Sequence, residues 1–567
     1  MNVTFAYLGR SQLRSEGSSR VLMLQPNLSR EAVHFSADLK NPLRFREALS
    51  ALHDVVINDL RYKPRDKTAY LEWKEGQKDR LAAIRREEYQ RVKEELAQQR
   101  DTALTPDLEK QYSKAVKRYW EARDGYTKYL LKNDPAMWRT LMPCDPVITV
   151  AQDAVFFECF SADESSYGCL TVDREGGFGA CGGMAAGTTN VDYSWELYNQ
   201  FQRLRTYRQT RFLVDPESFS VQTQGRSDYR EDKIDLPSGW LRGFMQVQGA
   251  MGLPMRRVTL SPAAVYSVLA FLKRHRSQKS PRAIRFELLD GQSPRLVLEP
   301  WEQPVVSHET RYAGPGGEPI RIWGRQRLLV LARLLPLIER VDVYLLGTGM
   351  PSFWVAKMGD MRLTLGLSGW TANDWTRGSA LDLLSPPAEP GPMQIEAVAG
   401  LLQRQRAMSF EQIVPKMACS RGVVAAALRH LAHAGQAIFD LDAGVFRWRQ
   451  IMPMALGEAQ MGPPNEELTA SRELALRRKV VVDSRRELEG GAVLLEGKVE
   501  GKPVEMLVDA DGLIRRGKCV CSHHFKSGLR AGPCRHLLAM RQAAQGATQA
   551  PSSDDGWFDR LERWVRN

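Results

Sequence analysis

Apolar positions first fall into register at Phe45, Ala48, Leu49, Leu52 and Val56. Spacings of three and four predict a helix with one buried face, and Asn41-Pro42 supplies its cap and first-turn proline. Before it, the runs VTFAYLG, RVLMLQP and AVHFSADL alternate as strands do, so residues 1–66 predict a small α+β unit. From 67 to 135 the pattern turns to dense mixed charge (KDRLAAIRREEYQRVKEELAQQR, then TPDLEKQYSKAVKRYWEARDGYTKYLL), with Thr105-Pro106 opening the second half. This predicts an inserted pair of long helices folded into a hairpin, with largely solvated faces.

Between 147 and 384 a helical pattern is repeatedly followed by strands. SPAAVYSVLAFLKRHR precedes AIRFELL and RLVLEPW, joined by an Asp-Gly turn, and GRQRLLVLARLLPLIER precedes VDVYLLG, FWVAKMG and MRLTLGL. Units of helix plus antiparallel hairpin predict an α+β domain with possible internal repeats. The proline-dense LSPPAEPGPMQ then ends it.

Residues 394–451 form the next module. QIEAVAGLLQRQR places Val398, Leu401 and Leu402 inward, Ser409 caps a second helix, and RGVVAAALRHLAHAG turns Val424, Leu428 and Leu431 to the core before Gly435 ends it in a left-handed cap. AIFDL-DAG-VFRWRQI closes the module as a hairpin. Three helices closed by a hairpin is the order of a winged helix-turn-helix, whose third helix enters a major groove while the wing meets the backbone. Its outward groups would include Arg421, Arg429 and His433 on the helix and Arg447 and Arg449 on the wing. Arginine pairs bidentately with phosphate or guanine, which suits nucleic acid. The same module also serves for protein docking.

Composition narrows the classes. With 43% hydrophobic and 26% charged residues over 567 positions, the chain can bury several cores and is multi-domain. A net charge of +12 favours polyanionic partners. The N-terminus has no apolar signal region, and the most apolar run, Leu328 to Ile338, is too short to span a bilayer, so a cytoplasmic protein without a membrane segment is expected. Gly177-x-Gly179-x-x-Gly182 has the spacing of a dinucleotide loop, but the next helical pattern begins only near Ser194, and turns are expected instead. There is no P-loop, no H-E-x-x-H pair and no nucleophile elbow, since Trp370 replaces the second glycine. No residue carries a catalytic assignment, and the chain is not expected to be an enzyme.

Chemistry concentrates in residues 468–545. Cys519-x-Cys521 ends a strand pattern, where residues two apart share a face. After twelve intervening residues Cys534-x-His536, following the turn Gly532-Pro533, opens an apolar helix. Two such pairs predict a closed, tetrahedral Cys3His site for a structural Zn2+, with His523 and His524 as competing ligands. No Asp or Glu occurs between Ile514 and Ala550, while Lys518, Lys526 and Arg530 are among seven cations near the site. Their surplus over a thiolate-rich centre could meet phosphates. A final stripe of Trp557, Phe558, Leu561, Trp564 and Val565 predicts an amphipathic helix over 556–567.

C-x-C, a variable loop, then C-x-H and an apolar helix resembles the SWIM-type zinc finger, here in a stand-alone, bacterial-type chain. That family takes its name from remodeller-like helicases, mobile-element transposases and a kinase kinase kinase, and is thought to bind DNA or proteins. The resemblance implies Cys519, Cys521, Cys534 and His536 as ligands. The expectation is a non-catalytic protein recognising nucleic acid, DNA foremost, through winged helix and zinc finger. The alternative is an adaptor or scaffold in an assembly around a separately encoded ATPase.

Overall fold

A computed structural model of the chain describes residues 5–7, 12–16, 19–24, 33–57, 111, 114, 118, 146–161, 163–190, 201–202, 204–207, 209–214, 231–233, 238–276, 282–369, 375, 381–384, 390–451, 465–488, 491–509 and 512–549. Contacts divide the chain into one unit made of Met1–Asn58 with Cys144–Asn567 and another of Asp59–Pro143. In the second unit the described residues, Gln111, Lys114 and Arg118, are helical and exposed. The rest of the expected charged hairpin and the expected helix over 556–567 lie outside the described residues.

The first unit mixes helices with sheets that are almost wholly antiparallel. Its centre is an eight-stranded sheet in the order Arg256–Leu260, Arg340–Leu345, Ser352–Met358, Met361–Leu367, Ser166–Asp173, Ala154–Phe160, Val147–Val150, Gly187–Asn190. The middle strands are buried along nearly their whole length, including Trp354, Leu365, Phe157 and Tyr167. Strands covered on both faces read as unbroken apolar runs. Helix α1, Pro42–Ile57, lies across Ser166–Asp173 and Met361–Leu367 with Phe45, Ala48, Leu49, Leu52 and Val56 all buried, the stripe its periodicity specifies.

The N-terminal strands are not self-contained. Gln12–Glu16, Ser19–Leu24 and His34–Leu39 share a five-stranded sheet with Thr210–Val214 and Phe178–Ala185, so these strands complete a larger core. Gly179 and Gly182 lie within that last strand rather than in turns. Helix α2, Ser238–Met251, and helix α3, Pro262–Arg274, follow, the latter capped by Ser261. A smaller sheet carries the anticipated hairpin Ile284–Glu287 with Arg295–Leu298. Arg325–Leu334, expected as an α-helix, is a 3-10 segment wedged against α1 and α3, with Leu328, Val330, Leu331 and Leu334 buried.

Beyond the proline-rich stretch, helix α4, Pro392–Gln405, leads through strand Ala407–Met408 into a helical turn, Phe410–Ile413, that opens with a capping box between Ser409 and Gln412. Helix α5, Arg421–His433, ends at Gly435, whose φ of +72° closes it in the left-handed region. The hairpin Ala437–Asp440 and Val445–Trp448 takes up Ala407–Met408 to make a three-stranded sheet. These elements enclose their own core of Val398, Leu402, Met408, Ile413, Val424, Leu428 and Leu431.

The C-terminal portion is a four-stranded meander, Val480–Glu487, Val493–Val499, Lys502–Val508 and Ile514–Cys519, between helix α6, Glu466–Leu476, and the pair α7, Ser522–Ser527, and α8, Arg535–Gln549. α8 packs on α6 and on one face of the meander, burying Leu537, Leu538 and Met540.

Candidate metal centre

The meander's last strand delivers Cys519 on the face covered by α8, opposite Val504. The chain then turns, and Cys521 caps α7, its Sγ accepting from the His524 amide at 3.4 Å. Gly528 and Gly532 take positive φ and return the chain to Cys534, whose carbonyl accepts from Leu538 at the head of α8. The loop can come this close because Gly517 faces Leu537: a Cβ there would lie 2.9 Å from both Leu537 methyl carbons. Cys519, Cys521, Cys534 and His536 are all buried, and one ligand atom from each lies within 4.8 Å of the others. This cluster is able to hold a metal ion. His523 and His524 lie on α7 outside it.

The donor set fits a divalent cation. Three thiols this close must share protons. A hydrogen bond from Cys534 lowers Cys519 well below the usual thiol range, and the same bond pushes Cys534 up; burial raises Cys521. A cation that replaces the shared protons removes that conflict. The histidine is turned the same way. His536 Nε2 sits 3.6 Å from a Glu500 carboxylate oxygen and 3.4 Å from Lys502 Nζ, while its buried Nδ1 has no hydrogen-bond partner. A carboxylate behind one ring nitrogen orients the other as a ligand. Arg535 fixes the start of α8 by donating from its amide (2.7 Å) and guanidinium (2.5 Å) to Glu467 in the first turn of α6.

The cations expected to form a nucleic-acid surface are not brought together. Arg447 and Arg449 are buried, 4% and 1% exposed. Arg447 donates to Asp153 at 2.6 Å and lies 3.2 Å from Asp440, and Arg449 lies 3.7 Å from Glu158 and 5.2 Å from the centre of the Phe244 ring. The hairpin expected as a wing against a phosphate backbone is instead docked on the eight-stranded sheet, and both arginines are removed from that role. Arg362 of the sheet pairs with Asp440, and Lys357 with Asp442 at 2.6 Å. α5 packs against α2, burying Ala426 and Ala432. Arg421 is exposed but bidentate with Glu411 at 2.6 and 2.8 Å, over the Phe410 ring. Arg429 and His433 are half-buried, Arg429 near Arg541.

Around the metal cluster, Lys518 is paired with Glu505 at 3.0 Å, and Arg515 with Asp509. Arg530 donates to the carbonyls of Ser527 and Lys526 within the loop. Arg541 is buried, donating to the carbonyls of Leu384 and Leu383, and desolvation together with Arg429 pulls it down to about 9. Arg516 and Lys526 stay exposed.

The acids that consume the wing arginines were missed in the sequence. A signal existed: Arg447 and Arg449 alternate with Phe446 and Trp448, which pack on the module's own core. The arginine face therefore had to look outward, but onto a neighbouring sheet instead of solvent.

No family model and no curated protein matches the chain. Among solved structures it has a weak likeness to the proliferating cellular nuclear antigen of Entamoeba histolytica, with 11% identity and a TM-score of 0.26 over 40% of this chain and 89% of that one. A. fulgidus PCNA bound to the C-terminal region of FEN-1 gives 12% and 0.28 over the same shares. Scores this low do not define a shared fold. Among the described residues no helix is long and apolar enough to cross a membrane.

Proposed function

We propose that this chain is a non-catalytic zinc protein of the SWIM type that meets nucleic acid through its zinc module, while its winged helix acts as an internal docking module. The observation that carries the reading is the buried Cys3His cluster, with Glu500 behind His536. Three thiolates and one imidazole suit Zn2+ in a closed tetrahedral site, where the ion stabilises structure and keeps no open position for a substrate. The chain's +12 charge and the exposed Arg516 and Lys526 favour a polyanion beside that site. The docked wing narrows the nucleic-acid face to the zinc module.

A salt titration of binding to labelled DNA and RNA tests the reading. Binding at low salt that weakens steeply as salt rises supports it; no binding at low salt contradicts it. A second reading, a scaffold within an assembly, is favoured by the wing itself, which already serves as a protein-docking surface through Arg362, Asp440 and Arg447. That reading alone survives if all nucleic acids fail to bind.

A further inference from the structure

Phe525 is 86% exposed, the most exposed large hydrophobic residue among the described residues. It is not on a loose tip. Its amide donates to the Cys521 carbonyl at 2.9 Å, Cys521 Sγ accepts from the next amide back, and Gly528 closes the turn onto the His524 carbonyl at 2.6 Å. α7 is thus pinned to a metal ligand and lies against the strand Ile514–Cys519, where His524 meets the Gly517 backbone. The backbone that carries the ring is held in place, so little backbone freedom is lost when something covers it.

Its surroundings identify what that is. Val520, 64% exposed, follows the strand Ile514–Cys519 that α7 packs against; Arg516 on that strand and Lys526, next to Phe525 on α7, are exposed as well. The stretch from Ile514 to Ala550 carries no Asp or Glu, and Glu505, Asp509 and Glu467 of the same module are paired with Lys518, Arg515 and Arg535, so the strand and α7 carry an excess of positive charge. An exposed aromatic ring with exposed cations on its own helix and on the neighbouring strand fits a base with its phosphates. In a duplex the bases are already stacked on each other, whereas a single strand offers a free face. We infer that Phe525 is a stacking platform for an unpaired nucleobase, with Arg516 and Lys526 meeting the flanking phosphates. This rests on the nucleic-acid reading above and narrows it to single strands.

The test uses the full-length, metal-loaded chain with labelled oligo-dT, oligo-U and a duplex of about 20 nucleotides. Phe525→Ala is expected to weaken single-strand binding about 5- to 100-fold with duplex binding and metal content unchanged. Phe525→Tyr is expected to bind as the parent does, and Phe525→Leu, apolar without a ring face, to stay weak. Arg516→Gln and Lys526→Gln should each lower the log–log salt slope on single strands by about 0.7. Single-strand binding by Phe525→Ala or Phe525→Leu equal to the parent's overturns the inference and leaves the nucleic-acid reading standing. So does binding confined to the duplex. No binding to any probe overturns both.

Discussion

Arg362 Nη2 lies 2.8 Å from Asp440 Oδ2, and both side chains are buried. The first belongs to the eight-stranded sheet and the second to the hairpin Ala437–Asp440 with Val445–Trp448, so this contact joins two parts of the fold. Asp173 and Arg447 extend it on either side. Arg362→Ala leaves Asp440 with Arg447 as its remaining partner, so the cost is that of a lost charge-assisted hydrogen bond, about 1.5–3 kcal/mol. Arg362→Ala is therefore expected to lower unfolding free energy by that amount in urea titration. A loss under about 1 kcal/mol, the range of an exposed pair, would show the hairpin to be loosely held.

Arg449 and Glu158 are both fully buried, 3.7 Å apart, with Tyr167 donating to Glu158 at 2.7 Å. Arg449→Met alone strands the carboxylate and should destabilise by roughly 3–5 kcal/mol. Arg449→Met with Glu158→Gln removes both charges and is expected to recover most of that loss, because isosteric replacement of a buried pair is often nearly neutral. Additive losses in the double variant would mean that the two groups do not interact.

His53, on α1, is held down to about 4 by burial and by Arg333. The unfolded chain takes up this proton near 6.5, so between about 6.5 and 4 the unfolded state binds more protons. Stability therefore falls as pH drops through that window and is present in full above it. The span corresponds to about 3 kcal/mol. Asp54, raised by burial, acts in the opposite sense. The quantity to read is the difference between the parent and His53→Leu in melts from pH 7 to 4, and it should grow as pH falls. A constant difference would contradict the assignment.

Gly517 lets α8 approach the strand that carries Cys519. Gly517→Val should push α8 and His536 away and weaken Zn2+ retention at least 10-fold, the lower range for disturbed ligand support, measured by competition with a chromophoric chelator. Unchanged retention would show that α8 tolerates the displacement.

The Cys3His cluster was legible because its four residues lie within an eighteen-residue stretch, and local strand, turn and helix geometry brings them together. The caps at Ser409 and Gly435 were legible for the same reason. Arg447 and Arg449 were misread because their partners, Asp153 and Glu158, lie almost 300 residues upstream, and only the tertiary fold pairs them. The joining of the N-terminal strands to Phe178–Ala185 and Thr210–Val214 was hidden likewise, since pairing over such separations leaves no local period.

The central claim is a structural zinc ion held by Cys519, Cys521, Cys534 and His536, and elemental analysis of the purified full-length chain tests it most directly. The parent should carry about one zinc per chain, the stoichiometry of a single four-ligand site. Cys519→Ser and Cys534→Ser should each lose it, while His523→Ala and His524→Ala should keep it. A zinc content left unchanged in both cysteine variants, or absent from the parent, would contradict the account.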